Sequence, residues 1–84
     1  MKELKHNEVV YCRTQEEFNS IIKELKKKGF KCKKIINENE FYRFDTTCVG
    51  IYKDEYIAYD SINYFKANSF IILNYDNVMN GESK

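Results

Sequence analysis

One histidine and three cysteines are the side chains of this sequence that could bind a metal ion or act as nucleophiles: His6, Cys12, Cys32 and Cys48. Structural zinc sites usually take their ligands as closely spaced pairs, whereas these cysteines lie 20 and 16 positions apart. A catalytic thiolate needs a base beside it, and the one histidine belongs to a polar segment that we expect to be frayed. We therefore predict buried thiols, no metal site and no catalytic residue.

The acidic residues and the glycines add no catalytic pattern. Most carboxylates fall where the sequence predicts turns or strand ends, positions at which acidic residues commonly serve solubility. The three glycines are isolated from one another, so they do not form a phosphate-binding loop. We predict that the protein is not an enzyme and has no cofactor.

A basic patch is the strongest charge feature. The Lys and Arg residues outnumber Glu ten to five in residues 1–34, and acidic residues outnumber basic ones eight to four in residues 35–84. Phosphate binding is one interpretation, but lysines near a helix carboxyl end also favour the helix dipole and solvate an exposed face. We favour the solvated face, followed by an acidic protein surface or the acidic half of the chain, and nucleic acid last. The patch comprises Lys23, Lys26, Lys27, Lys33 and Lys34.

The clearest local signal is a helix over residues 15–28. Thr14 and Glu17 have capping-box spacing, which predicts that each side chain bonds the other's backbone N–H. Apolar residues then recur at helical spacing up to Leu25. Gly29 suits the left-handed position after the helix, and Phe30 should return to contact Leu25, as in a Schellman motif.

Strands are expected on both sides of this helix. Residues 8–13 and 30–36 favour two strands. Residues 46–52 and 56–61 favour a hairpin in which Tyr52 opposes Tyr56, so that Gly50/Ala58 and Cys48/Asp60 lie on the same side. Residues 62–68 read as an irregular aromatic segment, and residues 69–75 as a last strand. The predicted fold is α+β, with one helix packed on a mostly antiparallel sheet of four to five strands, in the order β-α-β-β-β-β. We expect a single domain over residues 1–84, with an ordered core at about 8–79 and frayed polar ends.

Surplus aromatic residues suggest a binding surface. The sequence has 7 Tyr and 6 Phe, and one helix can cover only one face of a sheet. In the predicted hairpin, Gly50 and Ala58 form a floor between tyrosine walls. Tyrosine is enriched at interfaces, although aromatic cross-strand pairs also simply stabilise sheets. The predicted binding residues are Tyr42, Arg43, Tyr52, Tyr56, Tyr64 and Phe65.

Composition narrows the class of protein further. The net charge is +1, too balanced for a protein that coats nucleic acid. Apolar runs such as the one at 70–73 have only four residues, far short of a membrane span. The odd number of cysteines without a close pair favours a reduced, cytoplasmic protein that does not contact membranes.

The chain resembles small proteins encoded by phages and mobile elements of low-GC Gram-positive bacteria. The resemblance covers about residues 8–75: the strand leading into Thr14-x-x-Glu17, the helix ending at Lys28-Gly29-Phe30, the strand 56–59, the aromatic pair 64–65 and the strand 70–72. Such proteins often counter host defence by stoichiometric binding, and the resemblance implies no catalytic residues. It implies a binding protein in the host cytoplasm that inhibits a defence component, such as a CRISPR effector. A homodimer is a further expectation, and it rests on the aromatic surface rather than on the resemblance.

Two alternatives remain open. An oligomeric binder could sequester a nucleotide signal, with tyrosines stacking on the base and lysines holding the phosphate. A small regulator could instead contact DNA or RNA through the basic patch, with strongly salt-dependent binding.

Overall fold

The computed structural model describes residues 1–32, 47–53 and 55–81. Its elements follow the order β1 (Glu8–Tyr11), α1 (Gln15–Lys27), β2 (Lys31–Cys32), β3 (Thr47–Tyr52), β4 (Tyr56–Ser61), α2 (Ile62–Ala67), β5 (Ile71–Asn74) and α3 (Tyr75–Met79). The α+β class is therefore confirmed. The predicted strand at 30–36 appears at Lys31–Cys32, and its remainder lies outside the described residues.

The five strands form one mixed sheet in the order β2-β4-β3-β1-β5. Strand β3 runs antiparallel to β1 and β4, whereas β5 is parallel to β1 and β2 is parallel to β4. Antiparallel pairing is thus confirmed for the central strands, whereas the parallel pairs at the two edges of the sheet were not predicted. Parallel neighbours need a crossover connection rather than a hairpin, and α2 lies in the connection that takes the chain from β4 across to β5.

The expectation of one helix is wrong, since the described residues contain three. The segment expected to be irregular begins with α2, and the predicted last strand ends at Asn74, where α3 begins. Both short helices start at a polar side chain that accepts a backbone hydrogen bond. Ser61 Oγ accepts from the Tyr64 N–H at 3.2 Å, and Asn74 Oδ1 from the Asp76 N–H at 2.9 Å. Such caps satisfy donors that have no partner inside the helix.

Helix α1 begins and ends much as its sequence predicts. The Glu17 N–H donates to Thr14 Oγ1 at 3.1 Å. The Glu17 carboxylate accepts from the backbone N–H of Arg13 at 2.9 Å, one residue before the expected Thr14. At the other end, Gly29 has φ +96° and the Phe30 N–H donates to the Leu25 carbonyl at 3.1 Å. This is the predicted Schellman motif.

The main core lies between α1 and one face of the sheet, which we call the α1 face. Helix α1 buries Phe18, Ile21, Ile22 and Leu25. The sheet contributes Val10, Val49, Ile51, Ile57 and Leu73, and α3 adds Val78. Burying an aliphatic or phenylalanine side chain stabilises a fold by about 1.5–3 kcal/mol, so this layer is the main source of stability.

The opposite face of the sheet, which we call the α2 face, is only partly covered. Val9, Cys48 and Phe65 are buried together there, with Tyr11, Ile62, Phe70 and Ile72 packed against them. The expectation that one whole face is left uncovered is therefore wrong. What remains accessible on this face lies beside α2, over the hairpin of β3 and β4.

The amino-terminal segment is packed, although its polar composition suggested a frayed end. Leu4 is 6% exposed and belongs to the main core. The Lys2 N–H donates to the Val78 carbonyl at 2.8 Å, and Lys2 Nζ lies 2.9 Å from the largely buried carboxylate of Glu8. The segment is thereby fixed to both α3 and β1.

Candidate binding site: an aromatic recess beside helix α2

The register of the β3–β4 hairpin positions the centre of the candidate site. Tyr52 pairs with Tyr56, Gly50 with Ala58, and Cys48 with Asp60. These pairs match the prediction, and the residues of each pair share a sheet face because directly opposite side chains point the same way. They lie on the α2 face, since Cys48 is buried against Phe65 there.

Gly50 makes the floor of the site low. It pairs with Val9 across β1 and β3, and a Cβ atom built on Gly50 would lie 2.7 Å from Val9 Cγ1 and 3.0 Å from the Glu8 carbonyl oxygen. The strands therefore fit only while this position lacks a side chain. Because the neighbouring position on β4 is Ala58, the floor consists of the Gly50 backbone, the Ala58 methyl group and the side chain of Val9.

Aromatic rings from α2 and the residue before β5 form a wall. The rings of Tyr64 and Phe65 lie 5.3 Å apart, and those of Phe65 and Phe70 lie 5.0 Å apart, both edge to face. Edge-to-face packing at such distances is favourable beyond the area it buries. Phe65 is buried beneath, whereas Tyr64 on the rim is 51% exposed.

Ser69 places Phe70 in this wall. After α2, Ser69 adopts φ +61°, and the Phe70 N–H returns to the Phe65 carbonyl at 3.0 Å. The Ser69 N–H bonds the Lys66 carbonyl at 3.2 Å, which completes a second Schellman motif. The turn therefore brings the Phe70 ring back against Phe65.

Together these groups enclose a recess of about 260 Å³, which we call the aromatic recess. Tyr52 borders it from the hairpin and is 46% exposed. Among the described residues, Asp60 contributes the carboxylate of its lining and is exposed. The lining is Val9, Gly50, Ile51, Tyr52, Ala58, Tyr59, Asp60, Tyr64, Phe65 and Phe70.

The predicted binding residues are brought together in part. Tyr52, Tyr64 and Phe65 line the recess. Tyr56 lies on the same sheet face, half-buried, but not in the lining. Tyr42 and Arg43 are outside the described residues. The prediction did not include Phe70 or Asp60. Asp60 could have been found, because the predicted register already placed it on the face of Gly50 and Ala58.

The basic patch lies elsewhere. Lys23, Lys26 and Lys27 are exposed on α1, which packs on the other face of the sheet. Lys27 Nζ lies 3.4 Å from Glu24 Oε1, so an acidic neighbour on the same helix partly offsets this charge. Lys33 and Lys34 are outside the described residues. In the described part of the chain, the patch and the aromatic recess are thus on opposite sides of the sheet.

The two described thiols are buried and free. Cys12 lies under α1 and Cys48 under α2. Burial raises the pKa of Cys48 to about 12 and that of Cys12 still further, because a thiolate is poorly solvated in an apolar interior. Both thiols are therefore protonated and weakly nucleophilic at neutral pH.

His6 is exposed in the amino-terminal segment. Within residues 1–32, 47–53 and 55–81, no three His, Cys, Asp or Glu side chains are grouped so that they could hold a metal ion.

None of the helices in the described part of the chain combines the length and the apolarity that crossing a bilayer requires. Comparison with known proteins gives no further assignment, because no family model, curated protein or solved structure matches this chain.

Proposed function

We propose that the protein is a non-enzymatic binding protein that docks a protein partner through the aromatic recess. The observation that carries this proposal is the exposure of Tyr52 and Tyr64, which are 46% and 51% exposed, on either side of a floor without large side chains. Tyrosine offers a stiff, amphipathic contact surface, and binding hot spots favour such residues around pockets. A side chain of the partner could enter the recess while the rim tyrosines cover it.

The dimensions of the recess support a protein partner over a nucleotide. Its volume of about 260 Å³ lies below the range of about 300–1,000 Å³ that is usual for small-molecule sites. The basic patch also cannot supply the phosphate contacts that the nucleotide alternative assigned to it, because Lys23, Lys26 and Lys27 belong to the helix on the other face.

We further propose that the partner is a component of a host defence system, and that binding blocks it stoichiometrically. This part rests on the resemblance to phage and mobile-element proteins given above. The fold suits the task, because a sheet with packed layers on both faces holds the recess residues in fixed positions before binding, which lowers the entropic cost of association.

The test compares partner capture by three forms of the protein. Wild type, Tyr64→Ala and Ile71→Ala are immobilised and exposed to lysate of the host cell. Ile71 is the matched control, because it is 49% exposed and lies outside the recess lining. We expect a stoichiometric partner with wild type and Ile71→Ala, and binding at least about 30-fold weaker with Tyr64→Ala, the loss typical of a hot-spot residue. Equal capture by Tyr64→Ala, or no partner for wild type, would contradict the proposal. Size-exclusion chromatography of the free protein shows whether the partner is instead a second copy.

A further inference from the structure

The aromatic recess combines two features that together recognise a positive charge. Its walls and rim carry the aromatic rings of Tyr52, Tyr64, Phe65 and Phe70. The fifth aromatic residue of the lining, Tyr59, packs its ring against Phe18 on the other face of the sheet. The other feature is the carboxylate of Asp60 at its edge. Aromatic rings attract cations through their quadrupole, and a carboxylate adds direct charge attraction and hydrogen-bond acceptors.

Asp60 has acceptor capacity to spare. Its Oδ1 accepts a hydrogen bond from the Ser61 N–H at 2.6 Å, which fixes the side chain near the end of β4. A carboxylate has about four acceptor positions. A group in the recess could therefore bond to this side chain without breaking the contact with Ser61.

One rim tyrosine already holds a cation of the chain itself. The Nζ atom of Lys53 lies 5.2 Å from the centroid of the Tyr52 ring, within the distance of about 6 Å at which cation–π attraction operates. Lys53 is exposed in the turn between β3 and β4. It is thus a flexible, replaceable occupant of that ring rather than part of the packed core.

We propose that the aromatic recess takes a cationic side chain of the partner, with arginine preferred to lysine. This inference rests on the proposed function and specifies which chemistry the partner must present. The recess has room for one long side chain. Guanidinium is preferred because it is planar, so that it stacks on rings and pairs with a carboxylate through two parallel hydrogen bonds. An ammonium group is a compact charge that can do neither of these.

The inference is tested with a small cationic probe and an uncharged analogue of the same shape. N-acetyl-arginine amide and N-acetyl-citrulline amide differ in the charge of the head group and are almost identical in shape. Each is titrated at millimolar concentration into the isotopically labelled protein, and the backbone amide signals of Gly50 and Ala58 are followed by NMR. We expect saturating shifts at these two residues with the arginine probe. The dissociation constant obtained from them should be at least about fivefold higher for the citrulline probe.

Three variants localise the binding. Asp60→Asn removes the charge but keeps the size, and we expect it to weaken the arginine probe about fivefold to tenfold. Lys53→Gln removes the competing cation, and we expect about twofold to threefold tighter binding. Lys26→Gln removes a charge on the other face and should change nothing. Thermal melts of all three variants show whether the fold is retained.

The outcomes separate this inference from the proposed function. Equal affinities for arginine and citrulline, the absence of shifts at Gly50 and Ala58, or an unchanged affinity in a folded Asp60→Asn variant would each overturn the cation inference. If the cation inference is overturned but capture of the protein partner still requires Tyr64, the proposed docking surface is retained and only its preference for a cation is wrong. If arginine binds as expected but Tyr64→Ala captures the partner normally, the docking role fails instead.

Discussion

Replacing Ser69 with glycine is expected to stabilise the protein, although it removes a side chain. Ser69 adopts φ +61°, the left-handed region that costs an L-residue about 1–2 kcal/mol and costs glycine nothing. Against this gain, glycine adds freedom to the unfolded chain, which costs about 0.4–1 kcal/mol. The Ser69 side chain is exposed, so little packing is lost. The net expectation for Ser69→Gly is a free energy of unfolding higher by about 0.5–1 kcal/mol.

The assay is chemical and thermal unfolding of the variant beside a matched control. Ser20→Gly makes the same exchange inside α1, where the backbone is helical and glycine is expected to cost about 0.5 kcal/mol relative to serine. For a domain of this size, the gain at Ser69 corresponds to a melting temperature higher by about 2–8 °C. Destabilisation of both variants by similar amounts would refute the reasoning, since it would mean that the left-handed turn after α2 carries no strain.

Three further outcomes follow from single contacts. Gly50→Ala should lower the free energy of unfolding by about 1–3 kcal/mol in urea titrations, because the new Cβ overlaps Val9. Unchanged stability would mean that β1 and β3 can move apart to accommodate the methyl group at no cost. Burial raises the pKa of Glu8, but hydrogen bonds from Lys2 and the Lys5 N–H outweigh it, so the pKa lies below its usual value. This contribution to stability is full above the usual glutamate pKa of about 4.3 and is lost as pH falls through the lowered folded value. Glu8→Gln should therefore flatten the acid side of the stability profile, and an equal loss towards about pH 3 in both forms would contradict this. Because burial raises the pKa of Cys12 and Cys48, iodoacetamide should modify these two residues only in urea, as peptide mass spectrometry would show. Fast labelling of Cys12 or Cys48 in the native protein would contradict their burial.

Strong local signals allowed part of the fold to be predicted. Helix α1 is delimited by Thr14 and Gly29, whose roles depend on neighbouring residues alone. The β3–β4 pairing follows from a short turn and alternating apolar residues, which fix the register of Tyr52 opposite Tyr56. The floor of the recess could be predicted for the same reason, because register determines which residues share a face.

The missed elements depend on contacts that are distant in sequence. Helices α2 and α3 are short and rich in residues that favour strands. Helix α2 contains Ile62, Tyr64 and Phe65, and helix α3 contains Tyr75 and Val78. Their caps at Ser61 and Asn74 are also the last residues of strands. The sequence therefore has no separate turn residues that would mark the end of each strand and the start of the helix. The parallel pairing of β5 with β1 joins residues more than sixty positions apart, and no local pattern reports it.

The wall of the recess was only partly predictable for a related reason. Tyr64 and Phe65 were selected for their aromatic character, but Phe70 enters the wall because Ser69 adopts a positive φ. Serine is not a residue that normally signals such a turn. Glycine at that position would have indicated the ending of α2 and, with it, the return of Phe70.

The position of β1 in the sheet has a consequence for how the chain folds as it leaves the ribosome. Both strands that flank β1, at Thr47–Tyr52 and Ile71–Asn74, come from the second half of the chain. Synthesis starts at the amino end, so Val9 and Val10 emerge long before the strands that will bury them. This sheet therefore cannot be completed until Ile71–Asn74 has been synthesised, and a nascent chain stalled before Ile71 lacks one neighbour of β1.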